Sequence, residues 1–189
     1  MMKKRIIVGV SGASGAPLAI EVFRALRAAG CESHLIMTRG AELTLAQETD
    51  CSIKEFRALA DFVYDLNALG DAPASGSFHT DGMIVVPCSM KTLAGIHSGY
   101  CDNLLLRAAD VTIKEGRKLL LVPRESPLSP IHLRNMQELS ALGVIIQPPM
   151  LNYYSRPTSV EDMTQQAALR ILDRFGIDCG ALRRWEGLS

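Results

Sequence analysis

Arg5-Ile6-Ile7-Val8-Gly9-Val10-Ser11-Gly12-Ala13-Ser14-Gly15-Ala16 is the stretch that decides the fold. A β-branched apolar run passes directly into a turn of glycine, serine and alanine. Ala19, Val22, Phe23 and Leu26 then recur at the spacing that puts them on one helix face. Gly30 stops that helix where a C-terminal glycine is expected. The unit reads as strand, tight turn and helix, the opening of a nucleotide-binding α/β domain.

The same alternation continues outward. Residues 31–38 predict a second strand and residues 39–48 a second helix. Residues 50–77 give a short helix at 53–59 and turn chemistry at 72–77. Residues 82–87 and 119–122 are unbroken apolar runs, as in strands buried on both faces of a parallel sheet. Helical patterns follow at 91–99, 102–115 and 131–142, a further strand at 144–147, and an amphipathic helix at 160–175. This predicts one domain over residues 1–189, an α/β doubly wound, mostly parallel sheet of Rossmann or flavodoxin type.

Twenty basic and twenty acidic side chains cancel, which removes any global electrostatic reason to bind nucleic acid or an anionic membrane. No window approaches the ~20 apolar residues of a membrane span. The short apolar run after Met1-Met2-Lys3-Lys4-Arg5 does not make a secretory signal, so a cytoplasmic protein is expected. Five scattered cysteines without a CxxC pair, and histidines without ligand spacing, predict buried reduced thiols and no metal.

In doubly wound folds ligands bind beyond the carboxyl ends of the strands. Four strand ends carry suitable groups there: the 11–15 loop, Thr38-Arg39, Pro87-Cys88-Ser89 and Pro123-Arg124-Glu125. The first loop reads either as a tight turn with a serine cap or as an anion cradle at a helix start. Gly9, Gly12 and Gly15 make GxxGxxG rather than the dinucleotide GxGxxG, and no Walker lysine follows. A mononucleotide phosphate on this loop fits best, with Thr38 and Ser89 in hydrogen-bond reach; Arg39 leaves an NADP reading open. Arg124 and Glu125 read either as an internal ion pair or as a site that binds phosphate and moves a proton.

With these residues assembled, the chain resembles the flavin prenyltransferase (UbiX/Pad) family over nearly its whole length. The matching stretches include Gly12-Ala13-Ser14-Gly15-Ala16, Glu48-Thr49-Asp50, Ala74-Ser75-Gly76-Ser77, Pro87-Cys88-Ser89-Met90-Lys91-Thr92-Leu93, Lys114-Glu115 and Val122-Pro123-Arg124-Glu125. Tyr154, Arg170 and Arg184-Trp185 match as well. The resemblance implies an enzyme that joins dimethylallyl phosphate to reduced FMN, making a prenylated cofactor for a separate aromatic- or unsaturated-acid decarboxylase. It implies FMN held by Gly12, Ala13, Ser14, Thr38, Ser89, Met90, Lys91, Thr92 and Arg124. Ser75, Lys114, Glu125, Tyr154 and Arg170 would surround the prenyl phosphate, within one chain or across a subunit boundary. Ser14, Glu48, Lys114 and Glu125 would be the catalytic set, with Ser14 and Glu48 at the reacting flavin edge and Glu125 between the Arg124 and Lys114 charges. A homo-oligomer, a dodecamer in the family, is implied too.

Gly116 and Lys118 flank Arg117 where many members carry Arg-Arg-Pro, and Tyr153 replaces a common phenylalanine. The first departure is similar to the branch associated with phenolic-acid decarboxylases. Two other readings compete: a flavin-dependent cysteine-type decarboxylase of the same fold, and a non-catalytic FMN-binding module.

Overall fold

The structure, a computed structural model, describes residues 3–187; the two residues at each end of the 189-residue sequence lie outside it. Its strands are β1 (Arg5–Val10), β2 (Glu32–Met37), β3 (Phe62–Tyr64), β4 (Gly82–Cys88), β5 (Leu119–Pro123) and β6 (Ile145–Ile146). They form one parallel sheet in the order β3-β2-β1-β4-β5-β6. The helices are α1 (Ala16–Ala28), α2 (Arg39–Glu48), α3 (Ile53–Arg57), α4 (Met90–His97), α5 (Leu104–Lys114), α6 (Pro130–Ala141) and α7 (Val160–Asp173).

Alternation along each strand sorts the core into two layers. Ile6, Val8 and Val10 pack with Val22, Phe23 and Leu26 of α1 and Ile171 and Leu172 of α7. Ile7, Met83 and Val85 face the other way, onto Leu104, Leu105 and Ala108 of α5. Helices on both faces explain why every residue of β4 is buried and why its sequence does not alternate in polarity.

The chain winds outward from β1 to β3, then returns to place β4 on the other side of β1. The carboxyl ends of β1 and β4 therefore flank the switch point, where this architecture opens a crevice. One element escaped the sequence: β3, with Phe62 and Val63 about half exposed, is an apolar run of three residues only, too short to stand out. Its anchorage is tertiary, through the buried His34 ring stacked 4.8 Å from Phe62 and a 2.9 Å bond between His34 Nδ1 and the Tyr64 hydroxyl. Strand β6 is also shorter than the expected 144–147: Val144 N–H is taken by the Leu139 carbonyl at the end of α6, and Pro148-Pro149 stops the ladder after Gln147.

Candidate functional site

Ser11 follows β1 and is buried. Its hydroxyl donates to the Pro87 carbonyl at 2.9 Å and accepts from the Ser89 N–H at 2.7 Å, lacing the ends of β1 and β4 together. Gly12 is required by packing: a Cβ there would lie 2.9 Å from the Gly40 backbone, so the loop and the start of α2 touch main chain to main chain. Gly15 takes φ 131°, open only to glycine without strain.

The helix start expected to cradle a phosphate is already engaged by the chain itself. The N–H groups of Gly15 and Ala16, which open α1, both donate to Glu48 Oε2, at 2.9 and 2.8 Å. Pro17 has no N–H to add. The positive end of the α1 dipole thus holds the chain's own carboxylate, brought there by the last residue of α2. Burial pushes the Glu48 carboxyl up, but the Gly15 N–H, the Ser14 hydroxyl, the Ala16 N–H and the Arg124 charge outweigh it, leaving the pKa below its ordinary value.

The helix starts next to it remain open. Thr38 caps α2, accepting from Ala41 N–H at 3.2 Å, and Ser89 caps α4, accepting from Thr92 N–H at 3.3 Å. Between them lies a cavity of about 650 Å³ lined by Gly12, Thr38, Arg39, Gly40, Ser89, Lys91 and Thr92, with Leu66, Leu105 and Leu106 as its apolar wall. Five of the expected FMN contacts therefore share one cavity. Ala13 is buried beside it, and Met90 packs half-buried against the α5-side core. Sequence reading missed Tyr100, Asp102 and Asn103 on the same cavity. The available signal was Asn103, whose side chain caps α5 at Leu106 N–H.

Arg124 and Glu125 follow β5 and are exposed. Arg124 N–H donates to the Cys88 carbonyl at 3.2 Å, and among the described residues Glu125 Oε1 accepts only from its neighbour, Ser126 N–H, at 3.0 Å. No ion pair joins the two, so the internal ion-pair reading has no support among the described residues. Cys88, under Ser89, is fully buried, and burial pushes its thiol well up, away from nucleophilic chemistry.

The residues expected around the prenyl phosphate are only partly gathered within the chain. Lys114 precedes β5 and Glu125 follows it, so a five-residue strand about 16 Å long separates their edges of the sheet. Glu125 therefore does not lie between Arg124 and Lys114 of its own chain. Lys114 instead pairs with Glu115, against the turn that holds Ser75 and Gly76. Tyr154 and Arg170 do meet: Arg170 Nη1 donates to the Tyr154 hydroxyl, and Trp185 stands edge-on to Tyr154 at 5.9 Å. A cavity of about 410 Å³ beside them is lined by Gln147, Pro148, Arg170 and Arg174. Among the described residues no group of three His, Cys, Asp or Glu could hold a metal ion, and no helix is long and apolar enough to cross a membrane.

A doubly wound sheet with a nucleotide-sized cavity at its switch point defines a mononucleotide-binding protein, and the Flavoprotein family model matches residues 1–170. Within that class the chain belongs to the UbiX-like flavin prenyltransferases. It is 50% identical over 185 residues to flavin prenyltransferase LpdB of Lactiplantibacillus plantarum, covering 97% of this chain and 99% of that one. A structure of AnUbiX with FMN and dimethylallyl pyrophosphate superposes with a TM-score of 0.97 at 50% identity, covering all of both chains. A dodecameric FMN-dependent UbiX-like decarboxylase from Escherichia coli O157:H7 gives 0.94 at 51% identity, over 97% of this chain and 100% of that one. An FMN-dependent cysteine decarboxylase, TvaF, shares the fold alone, at 18% identity and a TM-score of 0.59.

Proposed function

We propose that this chain transfers a dimethylallyl group from its phosphate ester to reduced FMN, supplying the prenylated flavin to a separate decarboxylase. The observation that carries this reading is the full-length likeness, at half identity, to a chain solved with FMN and a dimethylallyl donor. Residues 1–189 act as one flavin-holding unit, and the five free thiols suit the reducing cytoplasm.

Thr38, Ser89, Lys91 and Thr92 receive the flavin nucleotide in the 650 Å³ cavity, where two capped helix starts favour its phosphate. Gly12, Ala13 and Met90 shape that cavity, and Arg124 adds charge at its mouth. Reduced FMN supplies the nucleophile when bound. The chain's residues have three tasks: to neutralise the departing phosphate, to shield an allylic cation from water, and to move protons. Arg170 and Tyr154 fit the first task. Glu125, exposed and carrying no cationic partner, fits the last, and Ser14 with the anchored Glu48 orients the flavin edge.

Because Lys114 and Ser75 lie at the opposite edge of the sheet from Glu125, they complete the site of another copy in a homo-oligomer. The exposed Met150, Leu151 and Tyr153 beside Tyr154 support this. So do Asn152 Oδ1 and Ser155 Oγ, buried there without hydrogen-bond partners. The test is to incubate the protein with reduced FMN and dimethylallyl phosphate and weigh the released flavin. A gain of one dimethylallyl unit is expected; unchanged flavin from protein that binds FMN rejects the reading.

A further inference from the structure

Gln166 sits on α7 with only 6% of its surface exposed, an unusual place for a carboxamide. Both ends of that carboxamide are used, and on one target: Nε2 donates to the Ala181 carbonyl at 3.0 Å and Oε1 accepts from Arg183 N–H at 2.9 Å. Residues 181–185 carry no regular secondary structure, so these bonds replace the ladder a strand would have made. Two ion pairs flank the clamp, Arg183 with Asp162 and Arg184 with Asp173, the second having an Nη1–Oδ2 contact of 3.1 Å. Just beyond the clamp, Trp185 meets Tyr154 edge-on, and Tyr154 accepts from Arg170.

We propose that Gln166 is a positioning residue: by clamping residues 181–185 onto α7 it holds Trp185 against Tyr154, and so fixes the Tyr154–Arg170 pair for the donor phosphate. The inference rests on the donor site assigned above. Without the clamp, Trp185 has no fixed place, Tyr154 loses its brace, and Arg170 must be ordered by the anion itself. The ordering cost then appears as weaker anion binding.

Trp185 is the sole tryptophan, so its emission reports the docked segment directly. Gln166→Met keeps the side chain's length and removes both bonds. The expected result is red-shifted emission, easier quenching by acrylamide, and an affinity for inorganic phosphate, titrated against that emission, about tenfold weaker. The KM for dimethylallyl phosphate rises by the same factor while FMN affinity and kcat stay within about twofold. If Gln166→Met does not fold, Asp173→Asn loosens the segment from the surface and shifts the same readouts in the same direction by about threefold. A Gln166→Met protein with wild-type emission, or with unchanged phosphate affinity and donor KM despite a lower Tm, overturns the proposal. Wild-type protein that binds FMN and phosphate but transfers nothing would sink the donor assignment instead, and the phosphate titration still decides what Gln166 does.

Discussion

The crevice between β1 and β4 and the flank formed by residues 147–187 are built on opposite plans. At the crevice, chain topology does the assembly: parallel strands deliver Ser11, Thr38, Ser89 and Arg124 to one edge, and main-chain bonds together with the Ser11 hydroxyl lock them there. At the flank, long exposed side chains reach across irregular chain, held by Gln166, Asp162, Asp173 and a single aromatic contact. The first is preorganised for a ligand; the second becomes ordered only as well as its few anchors allow. The reaction needs both, since reduced flavin must be rigidly placed while the departing phosphate must leave.

The largest effect should come from the residue on the crevice side with no structural duty. Glu125→Gln keeps shape and removes the base, so prenylation in single turnovers should fall about a hundred- to ten-thousand-fold with FMN binding intact. Full activity would make the departing phosphate the base. Next come two glycines that separate site from scaffold. Gly12→Ala places a Cβ 2.9 Å from the Gly40 backbone and should cost about 1–3 kcal/mol of stability together with FMN affinity. Gly82→Ala, at φ 142° and with its added Cβ driven into the Lys118 carbonyl, should cost at least as much stability and leave FMN affinity alone. Equal FMN loss in both would erase the distinction between the crevice and the rest of the sheet.

The smallest effect concerns Glu48. Its folded pKa lies below the ordinary 4.5, so its charge stabilises the fold fully above that pH and the contribution is lost as pH falls through the folded value. Glu48→Gln, which still accepts from Gly15 and Ala16, should therefore lower Tm at pH 7 by a few degrees, corresponding to about 0.5–1 kcal/mol. The gap should close in acid. A gap that widens as pH falls would mean that Glu48 is not held as an anion at α1.

Most of the crevice was legible in the sequence because its residues follow strands whose apolar runs are local signals. Residues 5–10 and 39–48 stand as read, and the Ser11–Gly15 loop lies at the switch point. What misled was an inference from helix starts alone: the N–H groups of α1 look free until the fold brings Glu48, thirty-two residues on from Ala16, to meet them. Strand β3 and the Gln166 clamp were invisible for the same reason, since His34–Phe62 and Gln166–Ala181 are tertiary contacts without a local pattern. Lys114 and Glu125 stand eleven residues apart, yet β5 carries the chain across the sheet between them.

That separation makes the central claim testable in one measurement. Lys114→Ala and Glu125→Gln chains, each nearly inactive alone, are co-expressed, and the mixed oligomers are assayed by the mass of flavin formed with dimethylallyl phosphate. If one copy supplies Lys114 to the crevice of another, mixed assemblies contain sites with both groups intact and prenylation returns. Activity no higher than that of the separate variants would mean that both residues serve the same chain's site, and would contradict the account.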